Sequence, residues 1–208
     1  MRFRERFLPV VGLAARPLVP LFIRFRFSAN SVTLLSLAAG FCAGWAFSQG
    51  TALMILVGAF SFLLSNVLDE CDGTVARQTN TCSEFGALLD TVTDCLVHAA
   101  FFSGLGIGLH QQFPHGPWLF LGLVAAGGSI LSCALDIGGV TPWQPPSPSE
   151  KASLAWVTEW LRVDFSLLVV LSAALKQVGW ILWAGALGVF FFWIPSTFLI
   201  ATRNRRSR

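Results

Sequence analysis

Polar residues in this chain fall mostly as punctuation between apolar runs. Six such runs stand out, at 31–48, 51–68, 86–109, 117–135, 163–175 and 180–201. A helix needs about 20 apolar residues to cross a bilayer. The fifth run is short by that measure and spans only if its helix continues past Lys176, whose aliphatic stem can reach the interface. The sixth contains Pro195, which predicts a kink. Residues 1–28 have a different texture, with arginines interleaved among apolar positions, and predict a basic helix lying along the membrane surface. A signal peptide fits less well, because the apolar run is short, a proline interrupts it and Arg16 follows directly. The loop at 140–150 ends in Ser147-Pro148-Ser149-Glu150, a capping box with proline at the first helical position, so a helix should begin there. Its Leu154, Trp156, Val157, Trp160 and Leu161 suit an interfacial face. The expected fold is all-α: one polytopic membrane domain over 1–208, with an N-terminal interfacial helix (1–28), six transmembrane helices (31–201) and a basic tail (202–208).

Composition agrees with the pattern. Hydrophobic residues make up 54% of the 208 positions and charged residues 12%, against about 25% charged in soluble domains. A mean hydropathy of +0.67 leaves no room for a large soluble domain. The net charge of +3 comes from arginines bunched toward the two ends. In a membrane protein this reads as topology and anionic-lipid contact, not nucleic-acid binding. With the N-terminus in the cytoplasm and six crossings, every arginine and Lys151 fall inside, and only Lys176 falls outside. That asymmetry follows the positive-inside rule and places both termini in the cytoplasm, as expected for a protein of a bacterial inner membrane. The five cysteines are odd in number, and no two have CxxC spacing, so neither a disulfide framework nor a zinc site is indicated.

Acids inside apolar helices are expensive and need a reason. Asp69, Asp72, Asp90 and Asp94 cluster where the second run ends and the third begins, at the cytoplasmic end by the topology above. Asp69 and Asp72 are three apart and Asp90 and Asp94 four apart, so each pair shares a helix face. The connection at 78–85 is short enough to make the two helices antiparallel neighbours, and four carboxylates then converge. They cannot all remain ionised together without cations. A ligand set made only of carboxylates suits a hard ion such as Mg²⁺ or Mn²⁺, and a pair of such ions with open positions would serve phosphoryl chemistry. Gly73 and Ala76 let a ligand approach the backbone. Gly86, one turn before Asp90, lets helices pack closely. Arg77 can pair with a phosphate.

The segment reads D69-E-C-D72-G73-T-V-A76-R77, eight residues, then G86-A-L-L-D90-T-V-T-D94. It resembles the motif of the CDP-alcohol phosphotransferase family, D-x2-D-G-x2-A-R-x8-G-x3-D-x3-D, at every fixed position. Asn30-Ser31-Val32-Thr33 resembles the family's Asn-x-x-Thr element, with Ala29 where the usual proline precedes the asparagine. The resemblance implies that Asp69, Asp72 and Asp90 hold two divalent ions against the pyrophosphate of a CDP-linked donor, with Asp94 beside them. It implies nucleotide contacts from Gly73, Ala76, Arg77 and Ser83, and from Asn30 and Thr33. Asp94 would accept the proton of the attacking alcohol, CMP would leave, and the protein would be a homodimer. A carboxylate next to two cations is a weak base, so Asp94 is better described as a proton acceptor near the metals.

The donor expected is CDP-diacylglycerol, with a small alcohol acceptor; transfer from a small CDP-alcohol of the CDP-inositol or CDP-choline type is the alternative. Leu68 to Gly73 loosely resembles the branch that includes inositol-phosphate transfer enzymes. Asp136, Trp143, Lys151, Arg162 and Asp164 are candidates for an acceptor pocket, and Arg162 with Asp164 could equally be an interfacial pair. His98, one turn beyond Asp94, either bonds within the bundle or lines the pocket. His110 and His115 fall at the opposite end, and Trp118, Trp180 and Trp193 suit the membrane belt. A divalent-cation transporter would need polar residues continuing to the far side, and a non-catalytic scaffold would not need an intact motif.

Overall fold

A computed structural model describes residues 10–137 and 165–188 of the chain, and every regular element among them is a helix. In chain order these are α1 (Val10–Ala15), α2 (Leu18–Arg24), α3 (Ala29–Ser48), α4 (Ala52–Thr79), α5 (Glu84–Gln112), α6 (Trp118–Ile137), α7 (Phe165–Ala174) and α8 (Gly179–Gly188). Helices α3, α4 and α5 are long and apolar enough to cross a membrane, and 118–131, α7 and α8 are shorter apolar helices. The helix expected from Pro148, the kink at Pro195, the basic tail, positions 163–164 of the fifth run and 189–201 of the sixth lie outside the described residues.

The helices start where side chains can take over the first free amides. Ser28 caps α3 by accepting from the Ser31 amide, Thr51 caps α4 through the Met54 amide, and Ser83 caps α5 through the Gly86 amide. Asn80 ends α4 in the left-handed conformation (φ 54°), and the Thr81 amide returns to the Ala76 carbonyl. The surface helix expected over 1–28 is, among its described residues, two short helices. Pro17 has no amide to continue α1 and instead opens α2. Val11, Ala15 and Val19 are buried together with Val67, Leu68, Cys71 and Val75 of α4. The fifth run also departs from expectation. Its helix does not pass Lys176: α7 stops at Ala174, Lys176 takes φ 57°, and the Gln177 amide closes back on the Ser172 carbonyl.

Helix α3 packs against both α4 and α5, and α5 packs against α6. The core between them is aromatic: Phe62 and Phe101 stack at 4.4 Å, and Phe47 meets Phe101 edge-on at 5.2 Å. Helix contact is backbone-close. A Cβ on Gly44 would stand 2.7 Å from the Ala100 carbonyl oxygen of α5, and one on Gly106 would stand 2.9 Å from the Trp118 carbonyl oxygen. Leu35, Phe41 and Trp45 of α3 and Val57, Phe60 and Leu64 of α4 stay exposed on the outside, as lipid-facing side chains should. At 1.5 Å per residue, the 28 residues of α4 measure roughly 42 Å, more than the roughly 30 Å hydrocarbon core. Its last third and the start of α5 therefore reach the same water-facing end of the bundle.

Candidate active site

That end carries the acids. Asp69 and Asp72 sit one helical turn apart on α4, and Asp90 and Asp94 one turn apart on α5. The loop at 80–83 joins the two helices, but they are not the closely packed neighbours the short connection predicts: each packs chiefly against α3, and the acids reach toward one another from the two sides. Asp69, Asp72 and Asp90 each offer a carboxylate oxygen, and these oxygens all lie within 4.8 Å of one another. Asp69 also faces Asp94 of α5. The surroundings grade from dry to wet: Asp72 is 4% exposed, Asp69 and Asp90 are half-buried, and Asp94 is open.

Two observations test whether a hard cation fits here. Carboxylates at this separation repel one another unless a positive charge stands between them. The Asp69 Oδ1 atom is fully buried and has no hydrogen-bond partner among the described residues, which is costly for a carboxylate oxygen and is cured by a metal bond. The donor set is all oxygen, as Mg²⁺ and Mn²⁺ prefer. The residues fit such an ion.

A cleft of about 190 Å³ opens beside the acids. Helix α3 contributes Asn30 and Thr33, α4 contributes Asp72, Gly73, Ala76 and Arg77, and α5 with its leading loop contributes Ser83, Gly86 and Asp90. The nucleotide-contact candidates read from the sequence are thus neighbours along this one cleft. Asp69 and Asp94 stand beyond its lining. The loop residues Thr81 and Cys82 also line it, and nothing in the sequence marked them except their place between two motif halves.

Local geometry explains the small residues. Arg77 folds back along α4 and donates through Nη2 to the Thr74 hydroxyl at 3.0 Å. Its Nη1 lies 3.2 Å from where a Cβ on Gly73 would be, so the guanidinium rests over bare backbone. Gly86 lets the start of α5 come close to α3. Its missing side chain makes room for Ser83 Oγ, 3.1 Å from a virtual Cβ, and for Asn30 Oδ1, 3.4 Å away. It thus joins the starts of α3 and α5 under the cleft and does not bring α4 and α5 together. His98 Nδ1 donates to the Asp94 carbonyl at 2.8 Å and its ring meets Phe62 edge-on, so it bonds within the bundle. Trp180 donates to Ser172 Oγ at 3.0 Å, a packing contact. Trp143, Lys151, Arg162, Asp164 and Trp193, and the side chain of Asp136, lie outside the described residues.

Fold and site together define an integral membrane protein with a cluster of carboxylates that fits a hard cation at one end of a helix bundle, next to a cleft bearing an arginine. The chain belongs to the CDP-alcohol phosphatidyltransferase family, whose pattern its residues 26–192 match. It is 33% identical over 98 residues to the bifunctional IPC transferase and DIPP synthase of Aquifex aeolicus, a stretch that is 47% of this chain and 22% of that protein. It is 36% identical over 104 residues to an uncharacterized protein of the same organism, 50% of this chain and 51% of the other. It is 51% identical over 43 residues to a CDP-diacylglycerol--serine O-phosphatidyltransferase of Methanocaldococcus jannaschii, 20% of this chain and 21% of that one. The chain thus spans about half or less of the length of these curated relatives. The family expected from the acidic motif is the family found.

Proposed function

We propose that this protein is a phosphotransferase of phospholipid synthesis, which moves a substituted phosphate from a CDP-linked donor to an alcohol and releases CMP. The observation that carries the reading is the convergence of Asp69, Asp72 and Asp90 to within 4.8 Å beside a cleft lined by Arg77. Asp69, Asp72 and Asp90, with Asp94 adjacent, would hold two divalent ions, Mg²⁺ or Mn²⁺. When bound, such ions neutralise pyrophosphate oxygens and make the phosphorus easier to attack.

The chain's own residues supply the rest. Gly73 and Ala76 keep this stretch of α4 free of bulk, so the nucleotide half of the donor can approach it beside the Arg77 guanidinium that rests over Gly73. Arg77, Ser83 and Asn30 offer donors and acceptors along the same wall. The acceptor hydroxyl oxygen forms a bond to the phosphorus distal to cytidine, and the bond from that phosphorus to the CMP oxygen breaks. Asp94, the most open of the four acids, takes the hydroxyl proton.

CDP-diacylglycerol is the donor proposed, supported by the activity of the Methanocaldococcus relative, a CDP-diacylglycerol--serine O-phosphatidyltransferase, and by a site at the end of apolar helices, where a lipid and a soluble alcohol can meet. A cytoplasmic position for the site follows from the arginine asymmetry, and a homodimer from the family resemblance. The test is a screen of purified protein with CDP-diacylglycerol against glycerol phosphate, serine and inositol phosphate, reading CMP, with CDP-inositol-type and CDP-choline-type donors as the second arm. One donor–acceptor pair should release CMP in a Mg²⁺- or Mn²⁺-dependent way. Silence across both arms, from protein that stays folded with the cation present, would reject the assignment.

A further inference from the structure

The resemblance groups Thr33 with the nucleotide contacts, and its bonding assigns it elsewhere. Thr33 on α3 is 3% exposed and Asp72 on α4 is 4% exposed. The Thr33 Oγ1 atom lies 2.5 Å from Asp72 Oδ2 and 3.1 Å from the Ala29 carbonyl oxygen. A threonine hydroxyl has one proton to donate. At these distances the carboxylate, shorter and capable of carrying charge, takes it, because charge-assisted hydrogen bonds are the stronger ones. That proton is therefore not free for a ligand in the cleft. No other side-chain hydrogen bond to the Asp72 carboxylate occurs among the described residues.

The bond has a mechanical consequence. A carboxylate on a helix can turn about its last torsion, which is broad. Held at Oδ2 by a β-branched, fully buried neighbour on a different helix, the Asp72 group keeps one orientation toward Asp69 and Asp90. The α3–α4 seam that positions the two partners is itself pinned one turn further along α3. There Ser36 Oγ donates to the Ser65 carbonyl at 2.9 Å, and Ser65 Oγ donates to the Ser36 carbonyl at 2.8 Å.

We infer that Thr33 is a positioning residue for the cation site: it orients the Asp72 carboxylate from an adjacent helix, and so ties the start of α3 to the metal ligands. The inference rests on the reading of Asp72 as a cation ligand. Partners of this kind, one bond removed from the ion, typically change metal affinity by about 10- to 100-fold when removed.

The experiment measures Mn²⁺ binding to the full, detergent-solubilised protein in the absence of nucleotide, by paramagnetic resonance of free Mn²⁺. Thermal unfolding of the metal-free protein is followed in parallel. Thr33→Val keeps the shape and removes the hydroxyl; it should weaken Mn²⁺ binding by about 10- to 100-fold with metal-free unfolding unchanged. Thr33→Ser should restore binding toward wild type. Ser36→Ala, which loosens the same seam without touching Asp72, should leave Mn²⁺ binding in place. Unchanged Mn²⁺ affinity in Thr33→Val with a raised donor KM would overturn the inference in favour of a nucleotide contact and leave the cation site standing. Equal losses in Thr33→Val and Ser36→Ala would overturn it in favour of general loosening. A wild-type protein that binds no Mn²⁺ would overturn the cation reading itself, and this inference with it.

Discussion

Gly73 and Arg77 show how single residues shape the cleft. The Arg77 guanidinium occupies the space a side chain at 73 would need, with 3.2 Å between Nη1 and a virtual Cβ. A methyl there forces the guanidinium to shift by a few tenths of an ångström and narrows the bare strip of backbone. Alanine is also favoured over glycine in a helix interior by about 1 kcal/mol. Gly73→Ala should therefore raise the donor KM, by about tenfold if roughly 1.4 kcal/mol of binding is lost, while resistance to unfolding is kept or improved. Steady-state kinetics beside a denaturation curve separate the two effects; a variant with wild-type KM would show that donor and Gly73 do not meet. The residue scale was well legible for the acids. Their spacing of three and four is a local helical property, and one short loop carries it across. Thr33 was legible as a candidate and not as a partner of Asp72, because the two are 39 positions apart and no local rule pairs them.

Helices carry the site only as well as their ends and seams are made. Thr51 caps α4 at the end remote from the acids, its hydroxyl oxygen accepting from the Met54 amide. Thr51→Ala should lower stability by about 1 kcal/mol and leave CMP release unchanged, and an unfolding titration paired with an activity assay reads both. Gly44 is the stricter position. A Cβ there would press to 2.7 Å against a backbone carbonyl of α5, and backbone cannot rotate aside as a side chain can. Gly44→Ala should part α3 from α5, cost about 1–3 kcal/mol, and disturb Asn30 and Thr33 at the far end of the same helix; unaltered stability would mean the helices are not held this close.

Hydropathy located the starts of the long helices within a few residues, but the run at 51–68 stops well short of the end of α4 at Thr79. The apolar runs at 31–48, 51–68 and 86–109 lie within α3, α4 and α5 apart from Thr51, which is the cap of α4. What hydropathy missed were the ends set by backbone geometry. The extension of α4 through the acidic motif depends on where Asn80 turns the chain, and the stop of α7 depends on Lys176 adopting φ 57°, a conformation unusual for lysine. The helix break at Pro17 was readable in principle from its missing amide. The Gly44–Ala100 approach was not, because it belongs to a pair of helices and not to either one.

As a whole, the molecule is a bundle with one chemical end. The acids, Arg77, and the loop with Thr81, Cys82 and Ser83 gather there, while Phe41, Phe60, Leu64 and other large apolar side chains face outward along the helices. Orientation is testable with the native chain, since Cys82 is exposed in that loop. A membrane-impermeant maleimide should label Cys82 in inside-out vesicles and spare it in right-side-out ones; the reverse pattern would place the site on the other face. The central claim is that the Asp69–Asp72–Asp90 cluster works through a divalent cation on a CDP-linked donor. Its most direct measurement is CMP release by the purified protein with the responsive donor and acceptor, before and after chelation, in wild type and in Asp90→Asn. Chelation should abolish release, Mg²⁺ or Mn²⁺ should restore it, and Asp90→Asn should be slower by about 10²- to 10³-fold, the range for losing one transition-state stabilising group. Release that survives both chelation and Asp90→Asn would contradict the claim.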